Sequence, residues 1–118
     1  MKKEFSVYSQ YCPSHNVLVG ISDKWSILII SLLSKKIYRF GELRRKIGGI
    51  SPKILAQALQ KLQRYNLVAR DSSPIIVMKV TKVEYSLTPL GQELGAILNR
   101  LTKWTEINME KIVQAEQN

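Results

Sequence analysis

Residues 51–66 read SPKILAQALQKLQRYN and predict a helix with two contrasting faces. Ser51 is a favourable N-cap because its hydroxyl oxygen can accept a hydrogen bond from a backbone amide of the first turn, and Pro52 suits the first helical position. Long donor side chains without an acid on one face are typical of a helix that contacts DNA, although an ordinary amphipathic surface helix has the same periodicity. The apolar face carries Leu55, Ala58, Leu59 and Leu62, and the polar face carries Lys53, Gln57, Gln60 and Arg64.

Basic residues are concentrated around this predicted helix. The chain carries a net charge of +9, and residues 35–70 contain ten Lys or Arg residues but only one acid, Glu42. The remainder of the chain has eight residues of each sign. Such a localised excess indicates a surface that binds a polyanion. We favour a nucleic acid over an acidic membrane surface, because the apolar face of the helix is expected to be committed to a core.

Length and composition restrict the classes of function. A chain of 118 residues predicts a single domain, 1–118, and its longest apolar run is far below the roughly 20 residues that span a bilayer. The N-terminus lacks the apolar core of a signal peptide, so we expect a cytoplasmic protein that makes no membrane contact. One cysteine and one histidine leave no intrachain disulfide and no structural metal site within one chain. No catalytic motif is present, so we expect neither a cofactor nor enzymatic activity.

The residues before Ser51 predict the first half of a helix-turn-helix. Residues 40–47 predict a two-turn helix with Gly41 as its N-cap, and residues 48–50, GGI, predict the connecting turn. Ile37 predicts a short strand just before this helix.

Two further helices are predicted upstream of this strand. Asp23 is expected to cap a helix over residues 24–33, and Ser14 a short helix packed on the core. Residues 1–13 are expected to form a loosely ordered arm. In helix 24–33 the residues expected to be buried are Trp25, Leu28, Ile29 and Leu32.

The residues after the helix predict a wing. Residues 67–70 predict a first strand, residues 71–74 a turn, and the alternation over 83–87 a second strand. The intervening IIVMKV, residues 75–80, is unexpectedly apolar, and it either extends the strands or forms a contact surface. The predicted fold class is therefore α+β, mainly α: a winged helix-turn-helix whose DNA-binding core and wing cover residues 39–87.

A long final helix is predicted over residues 88–115, opened by Thr88 and Pro89. Its apolar stripe is longer than a small domain can bury, so we interpret it as a dimerisation helix; the alternative is a helix wrapped over its own domain. The expected dimer contacts are Leu94, Ile97, Leu98, Leu101 and Trp104.

The pattern predicts a protein that binds double-stranded DNA in a sequence-specific way. Long donors on the helix of residues 51–66 suit base edges in the major groove, and the surrounding cations suit phosphates. The alternative is an architectural protein that binds nucleic acid without sequence preference. The expected base-reading residues are Ser51, Lys53, Gln57 and Gln60; the expected phosphate-binding residues are Arg39, Arg44, Arg45, Lys46, Arg64, Lys79 and Lys82.

The sequence contains Cys12-Pro13, Asp23-Lys24-Trp25, RFGELRRKIGGIS at 39–51, VEYSLTPLG at 83–91, and Trp104. Together these motifs resemble the HxlR-type branch of bacterial winged helix-turn-helix transcription regulators, relatives of the MarR group. The resemblance implies a homodimer on a palindromic operator, with redox or electrophile sensing through Cys12. One departure is the wing, where SSPIIVMKVTK replaces the proline-rich, polar tip usual in the family.

Cys12 has two interpretations. It precedes a predicted helix start and follows Lys2 and Lys3 in the sequence, and both a helix N-terminus and nearby cations lower the pKa of a thiol. A reactive thiol of this kind would respond to oxidation, alkylation or disulfide formation with a second subunit. The alternative is a small buried residue, since free cysteines are commonly buried. A small-molecule effector is left open.

Overall fold

The computed structural model describes residues 4–117, which form six helices and a two-stranded antiparallel sheet. This architecture confirms the predicted winged helix-turn-helix class, with α3 and α4 as the helix pair and the hairpin β1–β2 as the wing. The predicted proximity of Lys2 and Lys3 to Cys12 lies outside the described residues. The elements are α1 (Pro13–Ile21), α2 (Lys24–Leu33), α3 (Phe40–Lys46), α4 (Pro52–Arg64), β1 (Val68–Ile75), β2 (Val80–Leu87), α5 (Pro89–Ile107) and α6 (Met109–Gln117).

The core lies where α2, α3 and α4 meet the base of the wing and α5. The apolar face of α4 is buried as its periodicity predicts, and Leu43 and Ile47 bury the inner face of α3. The predicted face of α2 was partly wrong. Ile29 is buried, but Ile30 and Leu33 complete the buried face while Leu28 is exposed. Because α2 is apolar nearly all round, its periodicity does not select which face meets the core.

Side-chain and backbone caps fix where the helices begin. Asp23 accepts a hydrogen bond from the Ser26 amide at 3.0 Å, and Ser51 Oγ accepts one from the Ile54 amide at 3.1 Å, as predicted. The predicted N-caps of α1 and α3 were each wrong. Helix α3 begins at Phe40, and the Arg39 amide donates to Glu42 Oε1 at 2.9 Å, so Arg39 rather than Gly41 is its cap residue. Helix α1 begins at Pro13, with Cys12 rather than Ser14 as the cap residue.

The wing is longer than predicted. Residues 71–74, expected as a turn, lie within β1, and the two strands pair in continuous register from Val68 opposite Leu87 to Ile75 opposite Val80. The turn lies at residues 76–79, so the apolar segment both extends the strands and forms their tip. The expected strand at Ile37 is reduced to one bridge between Tyr38 and Tyr85, with backbone hydrogen bonds of 3.1 and 2.8 Å.

The last predicted helix is two helices. Thr88 caps α5 as expected, with its Oγ1 accepting from the Gly91 amide at 3.0 Å. The α5 helix then ends at Ile107, and α6 begins at Met109 beyond Asn108. Asn108 is the C-cap residue of α5, and its backbone amide at 3.0 Å and its side-chain amide at 2.8 Å both donate to the Trp104 carbonyl. The apolar periodicity continues across this break, which is why the sequence predicts one helix.

Helix α1 lies on the outside of the fold. The expectation that it packs into the core was wrong in large part, because none of its residues is buried and Val17, Leu18 and Val19 are exposed; Ile21 alone packs against the core cluster. Among the described residues, no single helix is long and apolar enough to cross a membrane. Helices α1 and α2 reach that length and apolarity only when taken together, and they are bent by 77° to each other.

Candidate DNA-binding interface

The outer face of α4 presents a row of long, uncommitted donors. Lys53, Gln57, Gln60 and Arg64 are all exposed, and at 3.6 residues per turn they fall within about 60° of one another around the helix. The opposite face is held by Leu55, Leu59 and Leu62, which are buried. The buried face therefore fixes α4 on the core, and the exposed donors are available to bind a ligand.

Ser51 stands at the start of this row but is partly committed. Its hydroxyl oxygen accepts the Ile54 amide as the α4 cap, so only its O–H remains available to donate to a ligand. Its contribution to ligand binding is correspondingly smaller than that of the four residues of the row.

The second basic group lies on α3 and the residue before it. Arg39, Arg44, Arg45 and Lys46 are all exposed. The hydrogen bond from the Arg39 amide, with the charges of Lys36 and nearby arginines, outweighs desolvation and lowers the pKa of Glu42. Lys36 Nζ lies 4.0 Å from Glu42 Oε2, so the single acid of this region is already engaged. The predicted phosphate-binding side chains around it are left without an acidic partner among the described residues.

The two predicted cations of the wing differ in availability. Lys79 is exposed in the turn, where its φ of 55° places it in the left-handed region. Lys82 Nζ lies 3.4 Å from Glu84 Oε1, and its side chain is only about one-third exposed (36%). Lys82 must exchange this ion pair before it can contact a phosphate, so it is a weaker candidate than Lys79.

An ion pair between α2 and α4 was missed from the sequence. Lys61 Nζ donates to Asp23 Oδ2 at 2.7 Å, and Asp23 also accepts from the Ser26 hydroxyl at 2.8 Å. Burial acts to raise the pKa of Asp23, but these hydrogen bonds and the Lys61 charge outweigh it, so the pKa lies below its usual value. Lys61 is thus committed to positioning α4. The sequence gave no sign of this ion pair, because its two partners are 38 residues apart.

A close contact also joins α1 to the end of α4. A Cβ on Gly20 would lie 2.6 Å from Tyr65 Oη, so the helix backbone packs directly against that ring. Tyr65 is the C-cap residue of α4. A groove of about 340 Å³ opens beside this contact, lined by Val17, Ile21 and Tyr65 together with Leu94 and Ile97 of α5. Helix α1 therefore packs directly against the C-terminal end of α4, the helix that bears the donors.

Cys12 is partly exposed and hydrogen-bonded at the start of α1. Its Sγ lies 3.1 Å from Ser14 Oγ and accepts from the Ser6 amide at 3.3 Å. The hydrogen bond with the Ser14 side chain, followed by those from the Ser14 and Ser6 amides, lowers the pKa of Cys12 below that of a free thiol. His15 is occupied elsewhere, with Nδ1 2.7 Å from the Val7 carbonyl oxygen. The structure does not place Cys12 in the core, so its interpretation as a small buried residue is wrong.

The predicted dimer-contact residues all lie on α5 but differ in exposure. Ile97 and Trp104 are 60% and 57% exposed, Leu101 is also exposed, and Leu94 is half-buried. Leu98 is only 8% exposed and belongs to the core of its own chain, so we remove it from the candidate contact surface. Two residues not predicted as contacts, Leu90 and Ile107, extend the exposed apolar face along the helix.

The geometry defines a DNA-binding protein of the winged helix-turn-helix class: a donor-bearing helix on an apolar support, a basic helix before it and a wing after it. The chain belongs to the HxlR-like helix-turn-helix family, whose model matches residues 20–113. It is therefore a transcriptional regulator of the helix-turn-helix type and not an enzyme. The residues that carried the resemblance lie mostly within this matched range; Cys12 and Pro13 precede it.

Three relatives illustrate the similarity. The chain is 39% identical over 111 residues to the HTH-type transcriptional regulator YtfH of Escherichia coli K12, covering 94% of this chain and 86% of YtfH. The solved structure of the transcriptional regulator ytfH of Salmonella typhimurium superposes with a TM-score of 0.87 at 36% identity, covering 98% of this chain and 100% of that chain. The redox regulator HypR in its reduced form gives a TM-score of 0.74 at 28% identity, covering 86% and 98%.

Proposed function

We propose that this protein is a sequence-specific transcriptional regulator that binds a palindromic operator as a homodimer, in the cytoplasm. The observation that carries the proposal is the exposed row of donors on α4, because an apolar support and an acid-free outer face are what a major-groove helix requires. Two subunits related by a two-fold axis would place their α4 helices about 34 Å apart, one turn of DNA.

We assign the residue roles from the exposure of each side chain and from whether its donors are already engaged. Lys53, Gln57 and Gln60 read base edges, with Gln57 suited to adenine through its amide and Lys53 to guanine or phosphate. The exposed cations of α3, α4 and the wing hold phosphates and set the register of the protein on the duplex. That second group is Arg39, Arg44, Arg45, Lys46, Arg64 and Lys79, with Lys82 able to join it once its pair with Glu84 opens.

Gln57→Ala and Arg45→Ala are expected to weaken DNA binding in different ways. Loss of Gln57 removes a base contact, so affinity for the operator should fall by about 1–3 kcal/mol while affinity for random duplex is unchanged. Loss of Arg45 removes a phosphate contact, so affinity for both duplexes should fall about equally, with a shallower salt dependence. Titrations of both duplexes across a salt series measure the difference. If the two variants behave alike on both duplexes, the assigned roles are wrong.

The proposed dimer surface is the exposed apolar face of α5. Its residues have no partner within the described chain large enough to cover them, and continuity with the groove beside α1 extends the surface across two elements. In this arrangement residues 39–87 bind DNA and residues 88–115 form the dimerisation region, now divided between α5 and α6. Of the predicted arm, residues 1–3 lie outside the described part of the chain, and Pro13 belongs to α1.

We propose Cys12 as the redox or electrophile sensor of this regulator. The geometry of its thiol supports the role, because partial exposure and a lowered pKa are the properties of a reactive cysteine. The similarity to the redox regulator HypR also supports it. Two Cys12 thiols of a dimer could release two protons and two electrons to an added oxidant such as hydrogen peroxide and form one disulfide. The contact between Gly20 and Tyr65 offers a route from α1 to α4.

Ser14→Ala is expected to slow alkylation of Cys12. The Ser14 hydroxyl is the largest contribution to the lowered pKa of Cys12, so its loss should raise that pKa, and less thiolate is then present at pH 7. The rate of iodoacetamide labelling, followed by mass spectrometry from pH 5 to 10, should shift to higher pH in the variant. Because the sequence has one cysteine, Cys12→Ser should abolish labelling and serves as the control. An unchanged pH profile in Ser14→Ala would contradict the proposed activation.

DNA selection from a random library with the purified protein tests the proposed function. A two-fold symmetric motif that changes after mild oxidation in the wild type, but not in Cys12→Ser, would support both the regulator and its switch. A symmetric motif indifferent to oxidation would support the regulator and contradict the role of Cys12. The absence of any motif would contradict sequence specificity and favour the architectural alternative, which the basic surface alone also permits.

A further inference from the structure

The tip of the wing exposes three consecutive aliphatic side chains. Ile76, Val77 and Met78 are 84%, 94% and 67% exposed, and they form the turn between β1 and β2. Hairpin turns favour Gly, Asn, Asp and Ser, which supply the backbone conformation and remain solvated. This turn contains none of them, and it places Lys79 at a φ of 55°, which is unfavourable for a long side chain. Its residue types are therefore not explained by the turn itself.

The wing carries this tip well away from the core. Its eight paired positions extend about 27 Å at 3.4 Å per residue, and only the base is buried, at Val68, Tyr85 and Leu87. The base is fixed to the helices by the bridge between Tyr38 and Tyr85. A span of about 27 Å exceeds the width of a major groove of about 12 Å, so a wing beginning at the end of α4 can pass a phosphate backbone.

The charge of the wing tip indicates which kind of surface it contacts. Within residues 72–82 there is no acid, and Lys82 is paired with Glu84, so the exposed Lys79 leaves the tip itself with a positive charge that attracts a polyanion. Phosphates cannot stabilise three aliphatic groups, but stacked base edges and sugars can once a base step is partly opened. The winged helix fold places the wing directly after the helix to which we assign base reading, with only Tyr65, Asn66 and Leu67 between α4 and β1.

We propose that Ile76, Val77 and Met78 form an apolar wedge that enters the minor groove beside each half-site, opens a base step and bends the operator. The inference rests on the proposed function and adds to it a second mode of recognition. Flexible pyrimidine–purine steps would then be preferred at positions that α4 does not touch, because they open at least cost. The wing would read the deformability of the DNA, and α4 would read its base edges.

The bend produced by tip variants tests the wedge. Full-length protein is titrated onto its selected operator carrying a fluorophore at each end, and the end-to-end distance is followed by energy transfer. Wild type should shorten that distance. With Val77→Ser the end-to-end distance should return most of the way to that of the free operator. Operator binding should weaken about tenfold, since the burial of a valine is lost. Val77→Lys should abolish the bend yet keep the affinity for random duplex, because it adds attraction to phosphate without a wedge.

Controls separate this inference from the function on which it rests. Ile37→Ser removes another exposed aliphatic residue, outside the wing, and should leave the bend unchanged. 2-Aminopurine scanned through the operator flanks should brighten at one step with the wild type and not with Val77→Ser. Selective binding that leaves the operator straight, or tip variants with the wild-type bend, would overturn the wedge alone. Binding of the tip to anionic vesicles, lost in Val77→Ser without a change in bend, would overturn it in favour of a membrane contact. Wild type without operator preference would overturn the regulator and the wedge together.

Discussion

Gly91→Ala is expected to destabilise the protein by about 3 kcal/mol or more, with a fall in Tm of at least about 12 °C. A Cβ at this position would overlap the carbonyl oxygen of Leu67 and press on Leu87 Cβ at 3.2 Å. The Leu67 carbonyl is held in place, because it accepts the Thr88 amide at 3.0 Å where the wing base meets α5. Backbone cannot move aside as a flexible side chain can, so α5 must shift away from the core.

Gly48→Ala is the matched control for this prediction. A Cβ on Gly48 would meet nothing within 4 Å, so the free energy of unfolding should change by less than about 0.5 kcal/mol. Thermal and urea unfolding of the three proteins at one concentration provide the comparison. Equal stability of Gly91→Ala and wild type would show that α5 does not pack on the wing base as described.

Trp104→Lys is expected to convert the dimer into monomers and to weaken binding to a palindromic operator at least about 100-fold. An exposed tryptophan can bury about 150–250 Å² in a contact, and a lysine there would place an unpaired charge in an apolar interface. Loss of the second subunit removes the gain from binding two half-sites at once, which is commonly 10²–10⁴-fold. Binding to a single half-site should be almost unchanged, since Trp104 is remote in sequence from the α4 donors.

Gln92→Lys introduces the same side chain at an exposed position of the same helix, about 120° around from Trp104. Sedimentation equilibrium should report dimers for this control and for the wild type, and monomers for Trp104→Lys. A persistent Trp104→Lys dimer would refute the proposed surface, while leaving the DNA-contacting face of α4 untouched.

The sequence predicted the helix-turn-helix because its signals there are local and agree. Ser51, Pro52 and the four apolar residues of α4 each favour the same helix in the same register, and the structure places them as expected. Helix α2 shows the opposite case: its bounds followed from Asp23, but its apolar residues surround the helix, so only tertiary packing chose Ile30 and Leu33 over Leu28.

The errors in the wing and the last helix have different causes. Asp71 to Pro74 has the composition of a turn, yet pairing with β2 holds those residues in a strand, since cross-strand hydrogen bonds outweigh local preference. The last helix breaks at Asn108, whose backbone and side-chain amides both donate to the Trp104 carbonyl, although the apolar periodicity continues across the break. Long-range contacts such as that of Lys61 with Asp23 leave no trace in spacing, so the sequence did not identify Lys61 as a residue that positions α4.

The ratio of operator to random-duplex affinity at one fixed salt concentration tests the central claim most directly. The account predicts a ratio on the order of 10³ or more for the wild-type protein, reduced in Gln57→Ala through weaker operator binding alone. A ratio near one, with strong salt-dependent binding to every duplex, would contradict a sequence-specific regulator and identify the basic surface as a non-specific nucleic-acid contact.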